Sequence, residues 1–261
     1  MIAANNEYMD KPDKDFLVTS LDLLSALIQA LQVSGATQLV AQSQPKLFDL
    51  LIYCMEDSNN DVRQSAYALL GDCAVNVFPQ LKPFLASILP VLISQLDLQK
   101  ISMNDETAFS VINNACWSCG EIAMQEREGM APYVNGLYYR LLAIIGNPEV
   151  PTSVNENAAI ALGRLGVGCS DALSAHLAEF ARSFLQIIQP VDDTDEKGHA
   201  IFGFNLMVEK NPRALSDCLL DYFRASAAYS DIVNSSYESG HDIRITFHRV
   251  SSGVAGITGK Y

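Results

Sequence analysis

The residues best suited to chemistry are Cys116 and Cys119, whose CxxC spacing is shared with zinc and redox sites. A structural zinc site needs about four ligands, and neither a second cysteine pair nor a nearby histidine pair accompanies this one. The pair also falls inside an apolar helical stretch, where cysteine commonly acts as a small buried hydrophobic residue. We therefore predict buried cysteine here, with no metal and no cofactor.

The sequence gives no more support to nucleophilic catalysis than to a metal or redox site. The histidines lie far apart, and none has a serine or cysteine neighbour in a recognisable nucleophile motif. They are His176, His199, His241 and His248. We therefore predict that the protein is not an enzyme.

Two further runs resemble ligand loops but depart from the required pattern. Residues 253–260 lack phosphate-loop spacing, since five residues rather than four separate Gly253 from Gly259 and no Ser or Thr follows Lys260. The acidic run at 192–196 lacks the glycine and the later glutamate of a calcium loop. We interpret that run as a solvated turn that supplies acidic residues to the start of the next helix.

Composition narrows the choice of partner and compartment. Seventeen Lys and Arg against 30 Asp and Glu give a net charge of −13, which argues against binding nucleic-acid phosphates and favours a basic protein partner. Residues 1–15 lack the basic and apolar regions of a secretory signal, so we expect an intracellular protein with reduced thiols. No apolar run reaches the ~18 residues of a membrane-spanning helix, so we predict no membrane insertion.

The elements predicted to position any functional residues of this chain are helices. From residue 16 to about residue 220, apolar residues recur at spacings of three and four, as Leu17, Leu21, Leu24 and Leu31 show. Strand-like alternation occurs only at residues 242–248, where a short lone strand has nothing to pair with. The sequence therefore predicts an all-α core followed by a poorly ordered tail.

A glycine recurs at intervals of 40 to 49 residues, each time five places after another small residue. The pairs are Ala66 with Gly71, Ala115 with Gly120, Ala158 with Gly163, and Gly198 with Gly203; Ser20 with Ser25 repeats the pattern in the first unit. Glycine inside a helix costs up to ~1 kcal/mol relative to alanine. Its recurrence therefore indicates that a neighbouring helix approaches closely at each of these points.

Helix pairs at this interval are typical of HEAT and armadillo repeats, and Asp61-Val62-Arg63 has the form of a HEAT motif. We predict an all-α HEAT-repeat superhelical solenoid of about four to five helix pairs. The expected organisation is an N-terminal polar segment at 1–15, the solenoid at 16–230 and a divergent, poorly ordered tail at 231–261.

Several segments resemble the transportin family of karyopherin-beta import receptors, in the family's order and near its spacing. They include Asp61-Val-Arg-Gln-Ser65, Asn113-Asn-Ala-Cys-Trp-Ser-Cys-Gly-Glu121, Glu156-Asn-Ala-Ala-Ile160, Gly163-Arg-Leu-Gly166 and Asp195-Glu-Lys197. The resemblance extends from about residue 12 to residue 230 and would place the chain in the C-terminal, cargo-binding arch. Residues 102–107 lengthen one loop, and the chain departs from the family pattern after residue 230. A truncated or mis-spliced transcript would account for that departure.

The resemblance implies a role in nuclear import, with basic PY-type localisation signals of cargo proteins held in extended form on the concave face. By position, the implied cargo contacts are Trp117, Asn113, Asp72, Asp22, Ile160, Phe109 and Val18. It also implies shuttling between cytoplasm and nucleus, with Ran GTPase and nucleoporins as partners of the full-length family. The Ran-binding arch is expected to lie outside this chain. The family's acidic contact at position 29 is replaced here by Gln29.

The residues alone leave alternatives open. Trp117 and Ile160 each stand three places before a repeat glycine, which predicts one shared face, but a lone tryptophan on an amphipathic helix is commonly a core residue. Asp22 and Asp72, taken alone, read as ordinary surface carboxylates. The rival function is a HEAT scaffold or adaptor that binds its partners through inter-helix loops.

Overall fold

The computed structural model describes residues 13–31, 33–44, 46–229, 248–250 and 252. Within these ranges the regular structure is helical throughout, with no strand. The α-helices that build the solenoid are α1 Lys14–Ala30, α2 Val33–Gln42, α3 Leu47–Met55, α4 Asn60–Asn76, α5 Phe78–Leu81, α6 Leu85–Gln95, α7 Glu106–Glu126, α8 Val134–Ile145, α9 Thr152–Ser174, α10 Leu177–Ile188, α11 Asp195–Lys210 and α12 Leu219–Ala228. Short 3₁₀ turns occur at Lys82–Phe84, Leu98–Lys100, Arg127–Met130 and Pro212–Leu215.

The helices form two layers, which confirms the predicted all-α repeat architecture. Helices α1, α4, α7, α9 and α11 pack side by side in chain order, and we call them the glycine layer. Helices α3, α6, α8, α10 and α12 form a second layer in the same way. Each glycine-layer helix is followed along the chain by a second-layer helix, so the described residues hold five successive units of the solenoid.

The predicted close approach of neighbouring helices is confirmed most directly between α9 and α11. A Cβ atom added at Gly203 would lie 2.0 Å from the carbonyl oxygen of Gly163, and one added at Gly163 would lie 2.5 Å from the carbonyl oxygen of Ala200. Such distances are far below van der Waals contact, and the obstructing atoms belong to the backbone. Glycine is therefore required at this crossing because two helix backbones touch.

Capping side chains set the starts of the glycine-layer helices. Asn59 caps α4 by accepting a hydrogen bond from the backbone N–H of Val62 at 3.1 Å, and Asp61 lies in the first turn. Thr194 caps α11, and the residues that follow it place two carboxylates in the first turn, as the interpretation of the 192–196 run predicts. Helix α1 begins at Lys14, two residues earlier than the predicted solenoid boundary.

The cysteines confirm the prediction of buried thiols, since all six are buried and none forms a disulfide. Both members of the CxxC pair are fully enclosed, and burial raises the pKa of Cys119 to about 12. Among the described residues no cluster of His, Cys, Asp and Glu could hold a metal ion.

In the same part of the chain, no single helix has the length and apolar character to cross a bilayer. Helix α4 and residues 78–95 meet those criteria only when they are taken together, and the chain bends by 117° between them.

Most of the predicted tail lies outside the described residues, as do His241 and residues 253–260. The exception is a short helical piece around residue 249, where Val250 is buried against the core and Arg249 lies 3.8 Å from Glu209. The order of the remaining tail stays a prediction.

Candidate functional site

Helix α7 presents a row of three predicted site residues. Phe109, Asn113 and Trp117 follow one another at intervals of four, so they lie on one face of the helix. The start of α7 is fixed by Asp105, whose side chain accepts a hydrogen bond from the backbone N–H of Ala108 at 3.1 Å. Phe109 is buried, whereas Asn113 and Trp117 are half-buried. Phe109 is therefore less exposed than the two residues that follow it in the row.

Trp117 lies between α4 and the start of α11 without being enclosed by them. Its ring covers the Cα of Gly71 in α4, where an added Cβ would come within 2.1 Å of Cζ3. At the opposite edge its Nε1–H donates a hydrogen bond to Glu196 Oε1 in α11 at 3.0 Å. The indole is thus held at two points while part of its surface stays open to solvent.

The buried guanidinium of Arg164 links Glu196, the hydrogen-bond partner of Trp117, to a second carboxylate, that of Glu121. Arg164 of α9 is only 3 % exposed, and its Nη1 lies 2.6 Å from Glu121 Oε1 and 3.8 Å from Glu196 Oε1. Burial raises the pKa of Glu121, and the nearby Arg164 guanidinium acts against that rise. Helices α7, α9 and α11 are therefore joined by a polar network beneath the edge of the indole.

An open groove of about 310 Å³ adjoins the other end of the row. Phe109 and Asn113 line it, together with Gln64 of α4 and Val154 at the start of α9. Asn157 of α9 donates a hydrogen bond from Nδ2 to Asn113 Oδ1 at 3.0 Å. That bond uses the carbonyl of Asn113, whose amide nitrogen carries two further N–H donors.

The structure brings together only some of the predicted contacts. Phe109 and Asn113 share the groove, and Trp117 lies one turn beyond it. Ile160 occupies the register of Trp117 in α9 but is buried. Asp22, which is exposed, and Val18, which is half-buried, lie on α1, two glycine-layer helices away from α7.

The interpretation of Asp72 as an ordinary surface carboxylate is wrong. This carboxylate is only 7 % exposed, and both oxygens already accept hydrogen bonds from α1. Ser25 Oγ donates to Oδ2, and Gln29 Nε2 donates to Oδ1 at 2.9 Å. A carboxylate at this depth needs such partners to offset the loss of water. Asp72 therefore joins α4 to α1, and Gln29 is one of its donors.

Sequence reasoning missed Glu196, Arg164, Glu121 and Asn157 as part of this site. Glu196 carried a usable signal, because it stands seven places before Gly203 as Asn113 stands seven places before Gly120. Its place in an acidic run before a helix start favoured the solvated-turn interpretation instead.

Comparison with solved structures supports the repeat architecture. The chain is similar to the designed armadillo repeat protein YIII(Dq)4CqI, with a TM-score of 0.63, 18% identity, and coverage of 92% of this chain and 96% of that one. It is also similar to the designed armadillo repeat protein YIII(Dq.V1)4CPAF in complex with peptide (KR)4, with a TM-score of 0.61, 17% identity, and coverage of 92% and 95%. At these identities the likeness establishes the fold alone.

Comparison by sequence finds closer relatives. The chain is 38% identical to importin subunit beta-2 of Schizosaccharomyces pombe over 237 residues, which is 88% of this chain and 25% of that protein. It is 34% identical to human transportin-1 over 250 residues, covering 96% and 26%, and 37% identical to rice transportin-1 over 225 residues, covering 84% and 24%. The chain thus spans about a quarter of the length of these curated relatives. No family model matches it.

Proposed function

Because this chain belongs to the transportin (importin beta-2) family over about a quarter of those proteins' length, we propose that it acts in nuclear import by binding cargo proteins. The ligand is a basic, extended localisation signal of the PY type, and the activity is binding rather than catalysis. The observation that carries this proposal is the half-buried indole of Trp117, which is held by Glu196 and partly open to solvent. It lies one helical turn from a groove lined by Asn113, whose amide is a hydrogen-bond donor.

The row on α7 offers an extended peptide two complementary contacts. Asn113 can donate to a backbone carbonyl, which gives affinity without demanding a particular sequence. Trp117 offers an aromatic surface for an apolar or cationic side chain. They are four positions apart along α7, a rise of about 6 Å, which equals about two residues of extended peptide. One segment of a ligand could therefore meet both.

Charge favours a basic ligand. The chain carries a net charge of −13, and carboxylates such as Asp22 and Glu106 are exposed on the glycine layer. A negative field of this kind accelerates encounter with cations and weakens with added salt. Phosphate backbones would be repelled, so nucleic acid is not the proposed ligand.

The family relationship extends the proposal to cellular behaviour. We expect the protein to move between cytoplasm and nucleus, as import receptors must do to deliver cargo. Ran GTPase and nucleoporins are partners that the family implies for full-length receptors. For this chain by itself we expect weak cargo binding that does not respond to Ran.

The test is a fluorescence-anisotropy titration of a labelled basic PY-type peptide. Trp117→Ala should weaken binding by about tenfold or more, as expected for a buried aromatic contact worth about 2 kcal/mol. Trp117→Phe, which retains a ring over Gly71, separates loss of the contact from misfolding. Tyr139→Ala removes an aromatic residue that is 60% exposed on α8 in the second layer and should leave binding unchanged. Equal affinity of the wild type and Trp117→Ala would refute the proposal.

The same titration tests the scaffold alternative. Asp192 is exposed in the loop before α11, so Asp192→Ala removes a loop contact without touching the α7 row. Loss of partner binding with Asp192→Ala, but not with Trp117→Ala, would favour loop-mediated scaffolding over the proposed site.

A further inference from the structure

Glu196 reaches a side chain that belongs to a distant repeat. It lies in the first turn of α11, whereas Trp117 lies on α7, and α9 packs between those two helices. The Oε1 of Glu196 nevertheless accepts the indole N–H at 3.0 Å. A hydrogen bond to an ionised acceptor is stronger than one between neutral groups. The bond therefore links the ends of a three-helix segment across its middle helix.

The backbone that carries Glu196 is anchored on both sides. Thr194 caps α11 by accepting a hydrogen bond from the backbone N–H of Lys197 at 3.2 Å. The Lys197 side chain, which is only 1 % exposed, donates to the carbonyl oxygen of Val191 at 2.5 Å and to Asp193 Oδ1 at 3.0 Å. The loop before α11 is thus fastened to the helix it precedes, and Glu196 projects from a fixed position.

A purely structural role does not explain the contacts of Glu196. Arg164 already has Glu121 as its close partner at 2.6 Å, while Glu196 stays 3.8 Å away. The Glu196 side chain is also 37% exposed, so its burial adds little to the core. Its carboxylate accepts the indole N–H of Trp117, and its interaction with Glu121 also helps to raise the pKa of that residue.

We propose that Glu196 is a positioning residue for cargo recognition: it fixes the orientation of the Trp117 ring and saturates its N–H. This inference rests on the proposed function. With its N–H occupied, the ring meets a ligand through its face, which suits apolar and cationic groups. The adjacent carboxylate also opposes acidic groups at that point of the ligand. Glu196 therefore contributes to specificity without having to touch the peptide.

The test uses the intact chain and exploits its single tryptophan. Glu196→Ala removes the acceptor of the indole N–H, whereas Glu196→Gln retains an acceptor oxygen and removes only the charge. Glu156→Ala is the matched control, because Glu156 stands at the same register of α9, seven places before Gly163. It removes the same charge and leaves the indole bond intact.

Two quantities are measured for each variant. The first is acrylamide quenching of Trp117 fluorescence without ligand, which should rise about twofold in Glu196→Ala and stay at the wild-type value in Glu156→Ala, because only the former frees the ring. The second is affinity for the labelled basic PY-type peptide, which should fall about fivefold in Glu196→Ala, because binding must then order a ring that is free in the unbound chain. Glu196→Gln should restore most of that loss.

The outcomes separate this inference from the proposed function. If the wild type binds the peptide and Glu196→Ala matches Glu156→Ala in both measurements, Glu196 does not position the ring. If the wild type fails to bind the peptide, the proposed function is lost and the Glu196 bond is only structural, whatever the quenching shows. A wild-type preference for a peptide carrying Glu at the ring-contact position would also overturn the inference.

Discussion

The ring of Trp117 lies over the Cα of Gly71, so closely that a methyl group at Gly71 would stand 2.1 Å from Cζ3 of the indole. The repeated glycine therefore serves two purposes in this solenoid. Between α9 and α11 it admits a neighbouring backbone, whereas between α4 and α7 it admits an aromatic side chain. The second use places the one tryptophan of the chain on the glycine layer and fixes where it can lie.

Substituting alanine for Gly71 should displace the indole. The added methyl group overlaps the ring, and overpacking of this kind costs about 1–3 kcal/mol. We expect a lower urea midpoint and a shifted Trp117 emission maximum. Gly35→Ala is the control, because an added Cβ there would meet Leu31 atoms at an ordinary 3.4 Å. That change should be neutral or slightly stabilising. Unchanged emission in Gly71→Ala would show that the ring does not depend on Gly71.

Replacing Arg164 with methionine should destabilise the fold by about 3–5 kcal/mol, because it leaves Glu121 buried without its cation. Burial already raises the pKa of Glu121, and loss of the guanidinium should raise it further. A group whose pKa is higher in the folded than in the unfolded state stabilises the native state fully at pH values below its unfolded pKa. This stabilisation is lost as the pH rises through the folded pKa. The deficit of Arg164→Met should therefore shrink below about pH 5.

The measurement for this pair is urea unfolding followed by circular dichroism, near neutral pH and at acid pH. The double variant Arg164→Met with Glu121→Gln should recover part of the stability at neutral pH, because no unpaired charge then remains buried. A double variant as unstable as Arg164→Met at both pH values would contradict the assigned pairing.

The paired thiols of α7 should resist alkylation in the native state. Burial raises the pKa of Cys119 to about 12 and that of Cys116 well above its ordinary value, so neither forms a reactive thiolate near neutral pH. Iodoacetamide labelling read by peptide mass spectrometry should modify both only when urea unfolds the chain. Since folding raises these pKa values, the stability that the protonated thiols provide is complete below about pH 9 and declines above it. Rapid native labelling of Cys119 would contradict its burial.

The architecture could be predicted from the sequence because its signals are local and repeated. Periods of three and four residues and the recurrent glycines are visible within single helices, and the structure confirms both. At Gly71 the recurrent glycine predicts close approach of a neighbouring helix but not which group approaches, and that group is the Trp117 side chain of α7.

The polar network could not be predicted in the same way, because its members lie far apart in sequence. Trp117 and Glu196 are separated by 79 residues, and their contact depends on how three helices stack. The burial of Asp72 likewise depends on Ser25 and Gln29 of another helix. Local patterns indicated which faces pack but not which side chains meet across them.

The most direct test of the central claim follows Trp117 itself. An unlabelled basic PY-type peptide is titrated into the wild-type chain while the emission of its single tryptophan is recorded. If the peptide binds the row on α7, the emission should change saturably, with the Kd obtained from the labelled peptide and with weaker binding at higher salt. If the labelled peptide binds but the emission of Trp117 stays constant throughout the titration, the ligand lies elsewhere and the proposed site is wrong.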